Sequence, residues 1–306
     1  MPPSKLTLVR RGSSTNIHRD ESRPGELIFE FCDNFSAFDV GRCDQGIPGK
    51  AVAMCTTAVK SFEIARVLGI PTHFVGKRSD ISIRVREVPI VREWLTSEST
   101  NYFVPLEWIS RFRLSGSLLR DFRDEKKLPT SYGFATNAVP PEGTPLPWPV
   151  NHVTTKLEKV DREIVGLEGR ELAGLTEKDE ARIWAMLNVL SGGLNLAWSM
   201  AGFVRFDGKM EVGMMNGRTP TVVDRFGTPD EDRPVLASAL KDRVVEHYGK
   251  EFLMQYLIRS GFKKAVDAAR KAGTPDPTYP NIPEEVLLEA GRRYSVFAEA
   301  YEKVTL

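Results

Sequence analysis

The sequence is poor in the residues from which many functional sites are built. Its three cysteines, Cys32, Cys43 and Cys55, are odd in number and show no CxxC spacing, which excludes a disulfide framework and a cysteine-based zinc site and reads as reduced thiols. Four histidines show no paired spacing, so His18 and His73 do not read as metal ligands, and His247 reads as a surface residue on a helix. No run of 18 apolar residues occurs, which excludes a membrane-spanning helix, and the opening MPPSKLTLVRRG has no apolar signal-peptide core. Lys and Arg number 42 against 41 Asp and Glu, a formal net charge of +1. So small an excess does not hold nucleic acid or an anionic membrane by bulk electrostatics. The expectation is a soluble cytoplasmic protein whose partners are small molecules, with its oligomeric state left open. Internal repeats and low-complexity segments are also lacking.

What is present is enough chain, 306 residues, for one large or two medium domains with a real core. The first hundred residues alternate strand-like runs (LTLV, ELIFEF, IRVREVPIV) with one helix, expected over Ala51–Leu68 after Ile-Pro-Gly-Lys and closed by Gly69 and Pro71. A boundary at residue 100 is expected. Residues 138–150, AVPPEGTPLPWPV, read as an ordered loop and exclude regular helix or central strand. Thr176, with Asp179 three residues on, predicts a helix bearing Ile183, Leu187, Leu190, Leu194, Ala197 and Ala201, bent at Gly192-Gly193. Further helices are expected over 237–259 and from Pro283, the last burying Val286, Ala290, Tyr294, Phe297 and Tyr301. Trp94, Trp108, Trp148, Trp184 and Trp198 read as core or loop-packing residues.

Two stretches carry charge where strands should be apolar. In FVRFDGKMEVGMMNGRTPTVVD, a two-residue type I′ turn at Asn216-Gly217 would set Met215 against Arg218, Glu211 against Val222 and Lys209 against Asp224. Lys209, Glu211 and Asp224 then share one face, whereas a three-residue loop would turn Asp224 away. Carboxylates on a rigid ribbon suit a hard cation such as Mg²⁺ beside phosphate oxygens, but charged cross-strand pairs are also ordinary surface decoration. The second stretch, VPLEWISRFRLSGS, is a strand bearing Glu107 and Arg111 that ends in a Ser115-Gly116-Ser117 turn able to cradle a phosphate. An exposed Glu–Arg strand ending in a flexible turn is the alternative.

Together these stretches resemble the two signatures of the SAICAR synthetase (phosphoribosylaminoimidazole-succinocarboxamide synthase) family: Pro-aliphatic-Glu-x-x-x-Arg-x-x-x-Ser-Gly-Ser, and Asp207-x-Lys209-x-Glu211-x-Gly213. DNFSAFD (33–39), IPGK (47–50), GIPTHFV (69–75), TTKLEKVDREI (154–164), TPDEDR (228–233) and the C-terminal IPEEVLLEAGRRYSVFAEAYEKVT extend the likeness over nearly the whole chain. The resemblance implies an α+β fold, with a kinase-like N-terminal sheet domain, an ATP-grasp-like second domain over 101–306 with C-terminal helices, and a nucleotide cleft between them. It implies ATP-dependent amide formation between carboxyaminoimidazole ribotide and L-aspartate. Glu211 and Asp224 would hold Mg²⁺, Lys209 and Asp207 would line the reacting junction, and Gly12, Ser13, Thr15 and Lys156 would attend the nucleotide. Asp33, Ser36, Lys50, Glu107, Arg111, Ser115, Gly116, Ser117, Asp161, Asp230 and Arg233 would serve the substrate.

Several positions depart from the family pattern. Ser13 and Thr15 stand where lysines are usual, Arg225 follows the metal-binding aspartate in place of Glu, and Gly249 and Met254 replace charges that help place the amino acid. Arg11, Arg42 and Arg225 are candidates to compensate. Three readings follow: a divergent SAICAR synthetase of purine biosynthesis, a relative recruited to nucleoside-antibiotic assembly of the coformycin or pentostatin type, and a non-catalytic nucleotide- or ribotide-binding relative.

Overall fold

Short apolar runs separated by turn residues fold as strands through the first ninety residues. The computed structural model describes residues 6–91, 94–158 and 161–306, so Lys159 and Val160 of the TTKLEKVDREI segment lie outside the described residues. In chain order the elements are β1 (Leu6–Arg11), β2 (Thr15–Asp20), β3 (Glu26–Phe31), α1 (Lys50–Val67), β4 (Phe74–Ser79), β5 (Ser82–Arg86), β6 (Tyr102–Arg113), α2 (Gly116–Arg123), a 3-10 turn (Pro129–Tyr132), β7 (Pro145–Thr155), β8 (Glu163–Ile164) and α3 (Glu168–Ala173). They continue with α4 (Glu177–Met200), β9 (Phe203–Arg205), β10 (Asp207–Met215), β11 (Thr219–Val223), β12 (Pro234–Leu236), α5 (Ala237–Lys241), α6 (Lys250–Arg259), α7 (Phe262–Ala272) and α8 (Glu284–Glu302). Among the described residues no helix is long and apolar enough to cross a membrane.

The chain divides into two compact units. One takes the residues through Lys60, Phe74–Glu87 and His247–Lys303; the other takes Ser61–His73, Val88–Glu246 and the last three residues. The division thus differs from a single cut at residue 100, because α6 to α8 group with the N-terminal strands. Such grouping is tertiary and leaves no mark in local pattern.

The first unit holds an antiparallel sheet in the order β1-β2-β3-β5-β4. Its β1–β2 turn is tight: Gly12 N–H donates to the Thr15 carbonyl at 3.0 Å, and a Cβ at Gly12 would come within 2.5 Å of that oxygen. In α8 the buried stripe runs through Leu287, Ala290, Tyr294, Phe297 and Tyr301, with Val286 only half-buried. Gly291 lies so close to the Pro48 carbonyl that a Cβ would stand 2.3 Å from it.

The second unit is built on an antiparallel sheet in the order β11-β10-β6-β7-β8. α4 packs against strands β6, β9, β10 and β11 through Ile183, Leu187, Leu190, Leu194, Ala197 and Trp198, and runs unbroken through Gly192-Gly193. Its start is a capping box in which Thr176 Oγ1 accepts from Asp179 N–H at 3.1 Å and Asp179 Oδ2 accepts from Thr176 N–H at 2.9 Å.

Four expectations are corrected. Residues 145–150 belong to β7, not to a loop. Pro145, Pro147 and Pro149 alternate, so their missing N–H groups fall on one side, and the two-residue β8 pairs only with Val153 and Thr154, leaving that side without a ladder. The helix expected over 237–259 is broken after Lys241: Arg243 is left-handed at φ 62°, and Glu246 returns to accept from Leu236 N–H at 3.0 Å. His247 is therefore outside any helix and only 5% exposed. Trp94 is 87% exposed, not packed in a core.

Candidate active site

The hairpin loop has three residues. Asn216, Gly217 and Arg218 have φ of 40°, 68° and 68°, and Met215 pairs with Thr219 and Glu211 with Val223. The register expected from a two-residue Asn-Gly turn is thus off by one, because Arg218 joins the left-handed loop. By strand alternation alone Asp224 would leave the face of Glu211. Pairing stops at Val223, however, and Asp224 is itself left-handed at φ 54°, so the pleat no longer dictates where its side chain goes. His73 Nε2 lies 3.2 Å from the Asp224 carbonyl oxygen. Burial, with the like charges of Glu211 and Glu231, raises the pKa of the Asp224 carboxyl to about 6 against the pull of Arg225.

The β6–β10 ladder sets Arg111 opposite Asp207, Ile109 opposite Lys209 and Glu107 opposite Glu211. Alternation then gathers the polar members on one face. Lys209 Nζ lies 2.8 Å from Glu107 Oε2, 3.2 Å from Glu211 Oε1 and 2.8 Å from Glu231 Oε2. Lys156, one residue beyond β7, reaches the same two strand glutamates at 3.0 and 2.9 Å. Burial alone would lower the Lys209 ammonium, but Glu231, Glu211 and Glu107 outweigh it and hold it well above its ordinary value. Burial would likewise raise Glu211, yet Lys209 and Lys156 keep it below the usual carboxylate range. Lys209 and Glu211 therefore stay charged at neutral pH.

Farther along the same face Asp207 Oδ2 takes two guanidinium groups. Arg111 Nη1 lies 3.2 Å away, and Arg233 Nη1 bonds the same oxygen. Arg111 Nη2 also donates to Ser117 Oγ at 3.0 Å, which places both arginines at the N-terminus of α2. Gly116 is left-handed at φ 58°, and a Cβ there would stand 2.9 Å from Arg233 Nη2. Ser115 Oγ is buried with no hydrogen-bond partner among the described residues. Two arginines and the Ser117 hydroxyl thus meet at the N-terminus of α2, an arrangement able to take a phosphate.

Residues 8–269 match the family model described as SAICAR synthetase. The chain belongs to the SAICAR synthetase family. Over 300 residues it is 30% identical to the phosphoribosylaminoimidazole-succinocarboxamide synthase of Thermoplasma acidophilum, covering 98% of this chain and 99% of that protein. The enzyme of the same name from Thermoplasma volcanium is 29% identical with the same coverage. Among solved structures, the SAICAR synthase of Saccharomyces cerevisiae complexed with SAICAR gives a TM-score of 0.71 at 21% identity, covering 98% of this chain and 96% of that one. A SAICAR synthetase in complex with ADP gives 0.64 at 22%, covering 90% and 100%. At these identities the structural likeness is one of fold: the α+β fold of the SAICAR synthetases. Membership makes the chain an ATP-dependent carbon–nitrogen ligase.

Within this SAICAR synthetase fold the remaining candidates lie as follows. In the first unit, Gly12, Ser13 and Thr15 form the tight β1–β2 turn, where Thr15 is buried. Asp33 Oδ1 accepts from Ala51 N–H at 2.8 Å at the start of α1, and Ser36 is half-buried. Lys50 is fully buried, its Nζ donating to the Asn34 carbonyl at 3.1 Å, so it braces the turn into α1. In the second unit, Asp161 is exposed and Asp230 half-buried. Sequence reasoning missed Glu231 and Asp232. Asp232 holds Arg205 Nε at 2.6 Å, with side chains 0% and 2% exposed. Both residues lie inside TPDEDR, where only Asp230 and Arg233 stood out.

Proposed function

We propose that this SAICAR synthetase relative joins the carboxylate of carboxyaminoimidazole ribotide to L-aspartate, with ATP and Mg²⁺, in cytoplasmic purine biosynthesis. The observation that carries the reading is that one sheet face holds, side by side, the Glu107–Lys156–Lys209–Glu211 row and the Arg111–Asp207–Arg233 grip. A ligand spanning them needs a phosphate at one end and a reacting carboxylate near the nucleotide at the other.

The donor set bears on the metal. Glu211 and Asp224 offer carboxylate oxygens, and among the described residues no group of three or more His, Cys, Asp or Glu could hold an ion by itself. Two carboxylates fit a magnesium ion that takes its other ligands from phosphate and water. When bound, the ion neutralises charge on the transferred phosphoryl group.

In the proposed reaction a ribotide carboxylate oxygen attacks the γ-phosphorus of ATP and ADP leaves. The aspartate amine then attacks the acyl carbon, phosphate departs with the bonding pair, and the amine loses a proton. Each step is mostly positioning and charge neutralisation. Lys209, held charged by three glutamates, offers its ammonium at the junction, and Lys156 steadies the same glutamates. Arg111, Arg233 and Ser117 fix the ribotide phosphate, with Asp207 aligning both guanidinium groups. The Gly12–Thr15 turn is assigned to the nucleotide.

The test is ADP release with carboxyaminoimidazole ribotide, Mg·ATP and L-aspartate, omitting each in turn, with mass spectrometry of the product. Aspartate-dependent release with a succinocarboxamide product is expected, and Glu211→Gln should abolish it. Ribotide binding without aspartate-dependent turnover would overturn the substrate assignment and favour a relative with another co-substrate.

A further inference from the structure

We infer that Arg225 is a resident cation of the proposed metal site, which keeps the protein from holding a divalent ion until nucleotide arrives. The inference rests on the assignment of Asp224 and Glu211 to the metal. Its basis is the charge arrangement around them. Four carboxylates, Glu107, Glu211, Asp224 and Glu231, are interleaved with three cations, Lys156, Lys209 and Arg225. Arg225 Nη2 lies 2.8 Å from Glu231 Oε1, and its Nε lies 3.7 Å from Asp224 Oδ1. Glu231 in turn holds Lys209 through its other oxygen at 2.8 Å.

A dication entering here meets carboxylates whose charge is already answered. Glu211 Oε1 is within ion-pair distance of both ammonium groups. Asp224 is the least tightly engaged, with its 3.7 Å contact to Arg225 and a side chain 30% exposed. The ion therefore has one accessible carboxylate and a guanidinium beside it that repels it. Nucleotide phosphates reverse the balance, because they bring negative charge for the ion and for Arg225 together. Metal and nucleotide enter as one complex, and Arg225 sets that order.

Mn²⁺ binding followed by electron paramagnetic resonance tests this on the purified protein, with folding checked by circular dichroism and Tm. Wild type without nucleotide should bind weakly and should tighten strongly with ADP. Arg225→Gln without nucleotide should bind ~10-fold tighter than wild type, while Arg225→Lys, which keeps the charge, should stay within about twofold. Folded Arg225→Gln that binds no tighter than wild type overturns the inference, as does wild type that binds Mn²⁺ equally well with and without ADP. Should Arg225→Gln fail to fold, Glu231→Gln removes the carboxylate that Arg225 Nη2 reaches at 2.8 Å, strengthens the guanidinium's hold on Asp224 and should weaken Mn²⁺·ADP binding at least ~3-fold; unchanged binding overturns the inference. Glu211→Gln tests the parent assignment separately: unaltered Mn²⁺·ADP binding would remove Glu211 from the metal, whereas the Arg225 comparison is made without nucleotide.

Discussion

Glu107 and Glu211 stand directly opposite each other on β6 and β10 and share two ammonium groups, those of Lys156 and Lys209. Like charges facing across a ladder are destabilising, so the pair persists only because both lysines bridge it. The four side chains form one unit, and its members should not contribute independently.

Removing one bridge tests that coupling. Lys156→Met leaves two nearly buried carboxylates with a single ammonium between them and should cost ~2–3 kcal/mol in urea unfolding. Adding Glu107→Gln should recover part of it, with a coupling energy of at least ~1 kcal/mol in the double-mutant cycle. Additive effects would mean that the two glutamates do not share Lys156.

Gly208 lies between the two proposed catalytic residues, and a Cβ there would stand 1.9 Å from Arg205 Nη2 and 2.3 Å from Asp232 Oδ2. The Arg205–Asp232 pair is buried, so displacing either partner strains an ion pair shut away from water. Gly208→Ala should therefore destabilise by at least ~3 kcal/mol and lower turnover through Asp207 and Lys209. A Tm within about 2 °C of wild type would show that the buried pair yields.

How far the sequence foretold this site depends on what each feature requires. The charges on β6 and β10 were legible because alternation puts Glu107 with Arg111, and Asp207 with Lys209 and Glu211, on a common face whatever the neighbouring loop does. Asp224 was not, because its place turned on loop parity: Asn216-Gly217 reads alike in a two- or a three-residue loop, and its return to the cluster comes from one left-handed residue after the strand. Glu231 enters by long-range approach, for which local pattern has no signal. Lys50 sits at the start of a correctly expected helix, yet its burial against Asn34 is tertiary. The prolines of β7 excluded a central strand by a sound rule that the shortness of β8 suspends.

His152 gives the protein an acid-sensitive element. Burial, reinforced by the Arg111 guanidinium, lowers its pKa from 6.5 to about 4. A base with a depressed folded-state pKa favours the native state above the unfolded value and loses that contribution as pH falls through the folded one. Stability should thus decline between about pH 6.5 and pH 4, by at most ~3 kcal/mol from this group. His152→Gln should flatten that part of the urea-derived profile. An unchanged slope in the variant would assign the acid sensitivity to other groups.

Asp207 binds Arg111 and Arg233 through one carboxylate oxygen, so in the proposed function it both aligns the phosphate grip and competes with the phosphate for it. The two effects separate in binding and turnover. Arg233→Ala should weaken the ribotide by ~10–100-fold, the range expected for losing a charge-assisted contact, and leave nucleotide affinity within about twofold. Asp207→Asn removes the competing charge while keeping the shape, so ribose 5-phosphate or inorganic phosphate should bind several-fold more tightly by calorimetry. Turnover should still fall, since guanidinium groups no longer fixed by a carboxylate hold the ribotide in the wrong place for transfer, and small misplacements are costly. If Asp207→Asn weakens phosphate binding instead, its part is only to hold the arginines in reach, and the competition argued from its shared oxygen is wrong.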